Sequence, residues 1–420
     1  MKKRDGIVKR QKGRVRFRNE DMDFMFTWAL GIGQILGYAP TQALRVGNAI
    51  TDGDPDSWCD AFAELGRTEA ARARLDAIAF SVAAKGQAHL GAAYAYRMAL
   101  QYADVRANRF RNLIAEMERE FSAGAEALGM PLRSVEIPFE GKSLPGYFIG
   151  QPGSRRPVVL MVGGGDTFRE DLFYFAGYPG WKRDYDVLMV DLPGQGTCPD
   201  RGFPFRVDMY APQKAAIDWL EAERGGELGK LAIYGVSGGG YFSAQCAASD
   251  RRVSAWIAAT PIFDIIEVFR KEMGAFYEAP AWLARGISRL AGAVNRAADV
   301  SLAKYAWQFR TADMRAAMDG LEAQARAAGP QAGSVDWRSV ACPCLFLVSE
   351  GEGPELIRQT DVAHRGLREL GVDVTRLDFG AAEGADSHCQ LGNLRLVQTL
   401  LFDWLDDRFG LPARDPRLAC

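Results

Sequence analysis

Residues 231–248 read LAIYGVSGGGYFSAQCAA, and the fold turns on this stretch. LAIY is a continuous apolar run, of the kind that fills a strand buried on both faces. YFSAQCAA is rich in Ala and free of Pro, as a helix requires. Between them stands Gly235-Val236-Ser237-Gly238-Gly239, the G-x-S-x-G spacing of a nucleophile elbow. A serine on so sharp a turn takes strained backbone angles, so the positions two residues to either side must lack bulky side chains. The turn lifts the Ser237 hydroxyl above the sheet edge. The following helix aims its unpaired N–H groups at whatever oxygen reacts there. A glycine-rich turn with an incidental serine has the same five residues; the flanking strand and helix favour the elbow.

At 420 residues the chain is long enough for two or three units. Its apolar fraction of 48% is ordinary for a globular protein, and its formal net charge of −2 points to no nucleic-acid or membrane partner. Seven cysteines, at 59, 198, 246, 342, 344, 389 and 420, form no C-x-x-C pair and no Cys/His cluster. So scattered and odd a set reads as reduced thiols of a cytoplasmic protein, with no disulfide framework, no metal site and no cofactor expected. The first 18 residues carry nine Lys/Arg and one Asp. No apolar run follows at once, so a secretory leader is not expected. Residues 24–39 are apolar but fall short of the roughly 20 residues of a membrane span. Residues 1–20 read as a disordered or surface-lying basic tail; the alternative is a docking strip for an anionic partner such as an acyl carrier protein.

The pattern is helical over residues 21–133, most clearly over 87–121, where His89, Ala93, Tyr96 and Leu100 share a face. No strand signal precedes residue 134. Then SVEIPF alternates and a hairpin-like GKSLPGYFIG follows. Apolar runs recur at 158–162, 186–190, 231–234, 254–259, 344–348 and 374–379. Strands alternating with helices predict an α/β fold: a mostly parallel sheet with helices on both faces. The core is expected at 134–262 and 338–412, behind an N-terminal helical domain at 21–133. Residues 263–337, helical and aromatic-rich, are expected to form a lid insertion over the sheet's C-terminal edge, where open sheets of this type bind ligands.

A serine nucleophile needs a base. His89 lies in the N-terminal helices, where it reads as a packed histidine or a substrate contact. His364 lies on a solvent-facing helix. His388, in GAAEGADSHCQLGN after the last strand, satisfies the order nucleophile, acid, base that elbow sheets follow. The acid should follow strand 344–348, in SEGEGPELIRQTD. Glu352 sits where a carboxylate would hold the imidazole tautomer, with Glu350, Glu355 and Asp361 as competitors. Asp264 is a further candidate, or a helix N-cap. Oxyanion donors are expected from the Gly238 N–H and from the loop Gly163-Gly164-Gly165-Asp166, in the region 164–166. That loop lacks the lysine and spacing of a phosphate cradle. Tyr94, Tyr96, Phe263, Phe276, Tyr277, Trp282 and Trp307 could line an apolar pocket, though core packing would explain each as well.

EIPFEGKSLPGYF, VVLMVGGGD, VLMVDLPGQGTC, YGVSGGGYFSA and GADSHCQ together resemble one branch of the α/β-hydrolases. That branch holds the 2,6-dihydroxypseudooxynicotine hydrolase and the fungal polyketide-shortening hydrolase of melanin biosynthesis; fermentation-respiration switch proteins are more distant. The resemblance implies an α/β-hydrolase core, an N-terminal helical domain packed over the active site, and a homodimer. It implies cleavage of a carbon–carbon bond next to a ketone, or of an ester, in an aromatic or polyketide substrate. Ser237 and His388 carry over directly. The family places Asp where this chain has Glu352, and its C–C hydrolase has a further carboxylate after the nucleophile, at about Asp264 or Glu267. Two other activities stay open: acyl transfer or thioester release, with a carrier protein docked on the basic tail, and a catalytically silent partner-binding protein. Intact Ser237 and His388 motifs speak against the last.

Overall fold

The structure, a computed structural model, describes residues 10–11, 13–327 and 334–412. Five helices come first: α1 (Glu20–Leu36), α2 (Pro40–Ala49), α3 (Pro55–Arg72), α4 (Val82–Gln101) and α5 (Asn108–Ala127). Strands β1 (Leu132–Phe139), β2 (Lys142–Ile149) and β3 (Val158–Val162) follow, then the short α6 (Arg169–Leu172) and α7 (Tyr178–Lys182). Next come β4 (Asp186–Val190), α8 (Tyr210–Glu223), β5 (Leu231–Val236), α9 (Gly239–Ser249) and β6 (Val253–Ala259). Helices α10 (Ile265–Met273), α11 (Ala275–Glu278), α12 (Ala281–Val294), α13 (Arg296–Phe309) and α14 (Met314–Ala327) precede β7 (Cys344–Ser349), α15 (Pro354–Glu369), β8 (Val374–Phe379) and α16 (Leu394–Phe409).

The eight strands form one sheet in the order β1-β2-β4-β3-β5-β6-β7-β8. β2 runs antiparallel to β4, and every pairing from β4 through β8 is parallel. This is the sheet that the alternating pattern predicts. Strands β3, β4, β5 and β7 are buried at every residue, as continuous apolar runs demand when helices cover both faces. β1 alternates between buried and exposed and lies at the sheet's edge. Trp256 on β6 fills the centre, its ring edge-on to Phe346 at 5.2 Å and its indole N–H donated to Ser243 at 2.9 Å. The chain leaves β3 for β4 on one side and reaches β5 on the other, so the loops after β3 and β5 diverge at a topological switch point.

The described residues divide into two compact units, one of residues 10–11, 133–278, 318–327 and 334–412, the other of 13–132 and 279–317. The insertion expected as a single lid at 263–337 is therefore split. Its middle, with α12 and α13, groups with the N-terminal helices, and its flanks group with the sheet. Charge explains the grouping. Arg106 binds Asp104 at 2.7 Å and Asp299 at 2.6 Å, and Arg296 reaches Asp56 at 3.1 Å and Asp104 at 3.2 Å. Beside them Trp307 packs edge-on against Phe110 at 5.2 Å.

Within the helical unit α4 is buried from Ala88 through Gln101. Its Gly and Ala residues let neighbours approach closely: a methyl group on Gly86 would meet Leu128 at 2.6 Å. The helix that periodicity extends over 87–121 is interrupted at 102–107. Asp104 accepts the Arg106 N–H on its side chain and the Ala107 N–H on its carbonyl, both at 3.0 Å, a local turn that competes with the helix. Residues 15–17 are not a loose tail. Their N–H groups all go to the Asp23 carboxylate, at 2.9, 2.6 and 2.7 Å, and Phe17 is fully buried. Residues 1–9 and 12 of the expected tail lie outside the described residues. No helix among the described residues is long and apolar enough to cross a membrane.

The Arg106 hydrogen bonds hold the Asp104 carboxyl down to about 2. A carboxylate so depressed contributes stability above its unfolded value of about 3.9 and loses it as pH falls towards 2. Arg106→Ala should cost about 1 kcal/mol, discounted because the pair is half exposed, and most of that difference should vanish in about 1 M salt. Urea midpoints of both proteins at low and high salt would check this.

Candidate active site

Parallel register brings five loops to one edge of the sheet. Val162 pairs with Gly235, Val236 with Ala259, Ala259 with Leu347, and Ser349 with Phe379. The segments that follow these residues carry the GGGD loop, the Ser237 elbow, Thr260, Glu352 and His388. Ser237 has φ 57° and donates its N–H to the Ala259 carbonyl at 2.7 Å. The turn closes so tightly that a methyl group on Gly235 would sit 2.0 Å from the Gly239 carbonyl oxygen, so only glycine fits.

The Ser237 hydroxyl lies 2.9 Å from His388 Nε2, and His388 Nδ1 lies 2.6 Å from Glu352 Oε2. The three residues expected to serve as nucleophile, base and acid thus stand in one hydrogen-bonded line. Thr260 donates its hydroxyl to the other carboxylate oxygen of Glu352 at 2.8 Å, and the Cys389 N–H approaches it at 3.4 Å. Burial pushes the Glu352 carboxyl up; His388, Thr260 and the Cys389 N–H outweigh it and hold the group below the usual carboxylate range. Burial pulls His388 down, but Cys389 and the Glu352 carboxylate beside it raise it well above an ordinary histidine.

The oxyanion side is equally constrained. A methyl group on Gly164 would stand 2.5 Å from Ser237 Cβ and 2.9 Å from its hydroxyl oxygen, so glycine lets the loop lie against the nucleophile. Gln195 donates its amide to the carbonyls of Gly163 at 2.6 Å and Gly164 at 2.8 Å, and Thr167 donates to the Gly164 carbonyl at 3.1 Å. Because a trans peptide points its N–H opposite to its C=O, the Gly165 N–H is turned away from Gln195. Gly165 N lies 3.4 Å from where a Cβ on Gly238 would be, beside the Gly238 N–H at the head of α9. Of the expected region 164–166, Gly165 thus brings its backbone nitrogen nearest to Gly238, and Gly164 gives the loop its close approach to Ser237.

The other expected residues lie elsewhere. Asp264 caps α10, accepting the Glu267 N–H at 2.9 Å, and Glu267 pairs with Arg270. Glu350 is exposed and its carboxyl lies about Gly380; Glu355 pairs with Arg358 and Asp361 with Arg376. The carboxylate on His388 Nδ1 is that of Glu352. On α10 the carboxylate that feels the base is instead that of Glu272, an exposed residue whose carboxyl end is partly desolvated and raised, against the opposing charges of Arg10 and His388. His89 is buried against Glu120 at 2.7 Å, with Arg74 and Arg119 on the same carboxylate. Tyr96 packs on Gly66 within the helical unit, and Phe263 packs edge-on against Trp256 at 5.7 Å. Trp282 is 74% exposed on α12. Core packing explains the first three. Gln195, Thr260 and Glu272 were not expected. Only Gln195 lies in a segment quoted for the family, PGQGTC. Among the described residues, no group of three or more His, Cys, Asp or Glu could hold a metal ion.

Comparison with known proteins follows the same outline. A model of the alpha/beta hydrolase family matches residues 158–389, more than half of the chain, and one of FrsA-like esterases matches 68–203. The 20-hydroxy-prefusarin hydrolase FUS2 of Gibberella moniliformis is 29% identical over 90% of this chain and 95% of its own. The hydrolase LUC6 of a Fusarium species is 27% identical over 94% of this chain and 98% of its own. The solved 2,6-dihydroxy-pseudo-oxynicotine hydrolase superposes with a TM-score of 0.64 at 17% identity, over 91% of this chain and 97% of that one. AbyA5 gives 0.61 at 16% identity, over 95% and 96%. These two likenesses are of fold.

A base raised in this way keeps its proton to higher pH, so kcat/KM should climb through a transition alkaline of the ordinary histidine value of about 6.5. Glu352→Gln should shift that transition to lower pH and cut kcat by about 10³–10⁴ with KM little changed, through loss of the working tautomer. A pH–rate profile of both proteins measures this, and an unchanged kcat would remove Glu352 from the assignment.

Proposed function

We propose that this chain, which belongs to the alpha/beta hydrolase family, is a serine hydrolase acting on a carbonyl of a partly aromatic or polyketide-like substrate. The supporting observation is the unbroken line from the Ser237 hydroxyl through His388 to the buried Glu352. His388 takes the hydroxyl proton as Ser237 Oγ bonds to the substrate carbonyl carbon. The developing oxyanion is met by the Gly238 N–H and by the loop 164–166. As the tetrahedral carbon collapses, the leaving group departs and takes the proton back from His388. Water, deprotonated by the same imidazole, then attacks the acyl-enzyme; the acid is released and Ser237 regains its hydrogen.

An alkoxide and a carbanion can each be the leaving group, and the machinery is the same for both. Carbon–carbon cleavage requires a carbanion delocalised into a second carbonyl or a phenolic ring, because no proton donor of this kind rescues a localised one. FUS2 is a hydrolase of 20-hydroxy-prefusarin by name and matches nearly the whole of this chain. That supports a substrate of biosynthetic rather than peptide character. The rival activity, transfer of the acyl group to a nucleophile within the substrate, uses the same first half and differs only in the acceptor.

Ser237→Ala should abolish turnover and labelling by a fluorophosphonate; retained turnover would refute the mechanism. A matched pair of substrates, an aryl ester and a β-diketone of the same acyl group, should separate the two leaving groups. Run in ¹⁸O-water, hydrolysis places one labelled oxygen in the acid product, whereas internal acyl transfer places none.

A further inference from the structure

The base loop carries an anchor that the sheet does not supply. His388 donates its backbone N–H to the Arg10 carbonyl at 2.7 Å. Residue 11 lies equally close to the acid loop: a methyl group on Gly351 would come within 3.0 Å of the Gln11 Cα and 3.1 Å of the Arg10 carbonyl oxygen. Gly351 adjoins Glu352, so residues 10–11 touch both loops that carry the proton relay. The charge of Arg10 also bears on the Glu272 carboxyl, as do those of His388 and Glu352.

Among the described residues, other restraints on the base loop come from the sheet's own strands and loops. Gly351 donates its N–H to the Asp386 carbonyl at 2.8 Å, Gln390 donates its side-chain amide to the Ser349 hydroxyl at 2.8 Å, and Ser349 donates to the Ala385 carbonyl at 3.1 Å. These bonds grip the neighbours of the base rather than the base. His388 opens a short helical turn (His388–Asn393), where an N–H has no acceptor within the turn. Cys389 and Gln390, next along, hold φ of 59° and 55°, a backbone that has little slack to re-aim the imidazole.

We propose that residues 10–11 of the basic N-terminal segment are a positioning element for His388, clamping the base loop to the acid loop so that the imidazole stays in line with Ser237. This rests on the Ser237–His388–Glu352 reading given above. The segment meets no reacting atom by this account. It acts on the alignment of the base, and alignment governs the chemical step more than substrate affinity.

Two variants test it beside the full chain, with a p-nitrophenyl ester as substrate and a fluorophosphonate as the probe of Ser237. One lacks residues 1–11. The other replaces Gln11 with its α-hydroxy acid, which makes the Arg10 carbonyl an ester carbonyl and a poorer acceptor while leaving every side chain in place. Loss of this hydrogen bond should lower kcat and the labelling rate roughly tenfold. KM should stay within about twofold. A synthetic peptide of residues 1–12 should restore the shortened enzyme. Unchanged kcat and labelling in both variants would overturn the proposal, as would a loss carried by KM alone. If the shortened chain fails to fold, the ester variant decides. Ser237→Ala in the full chain separates the two readings: turnover surviving there would sink the triad itself, whatever the segment does.

Discussion

Parallel strand pairing governs where chemistry can occur in this molecule. Each parallel neighbour leaves the sheet at the same edge, so the register of β3, β5, β6 and β7 determines which residues emerge side by side. The pairing of Val162 with Gly235 sets the GGGD loop against the elbow, and that of Ala259 with Leu347 sets Thr260 beside the acid loop. A slip of one residue in any of these pairs would turn alternate side chains to the opposite face and dismantle the site.

Electrostatics at the edge follow from that placement. Glu352 is almost fully buried, a costly position for a carboxylate unless it is paired and hydrogen-bonded. Here an imidazole, a hydroxyl and a backbone N–H all converge on it. Glutamate, one methylene longer than the aspartate usual in the family, still reaches His388 at 2.6 Å. The Thr260 hydroxyl on its second oxygen fixes the longer arm, which would otherwise have an extra torsion to lose.

Much of this is legible in the residues because the signals are local. The elbow is a five-residue pattern, and the order of Ser237, Glu352 and His388 follows from counting strands. What escapes sequence reading depends on contacts between distant segments. Thr260 matters only because β6 lies next to β7, and Gln195 only because its amide reaches back to the loop after β3. The break at 102–107 hides inside a strong helical period, since Asp104 makes its turn with bonds that composition does not reveal. The split of the 263–337 insertion hides for a like reason: α13 is claimed by Asp56, Asp104, Arg106 and Phe110, none of them near it in the chain. Aromatic residues such as Phe263 and Tyr96 show that richness in rings signals packing at least as often as a pocket.

The divided helical unit has a bearing on how the chain matures. Its first part is synthesised before any strand, yet Arg106 and its partner Asp299 stand 193 residues apart. Between them lie the strands from β1 to β6, and after them β7 and β8. As the chain emerges, α4 and α5 must wait for α13 while six strands of the sheet are already made, and the last parallel pairings form only later. Neither unit can finish wholly before the other has begun. Assembly is therefore interleaved rather than sequential, and a growing chain exposes unpaired strand edges for most of its synthesis, the state in which aggregation competes with folding.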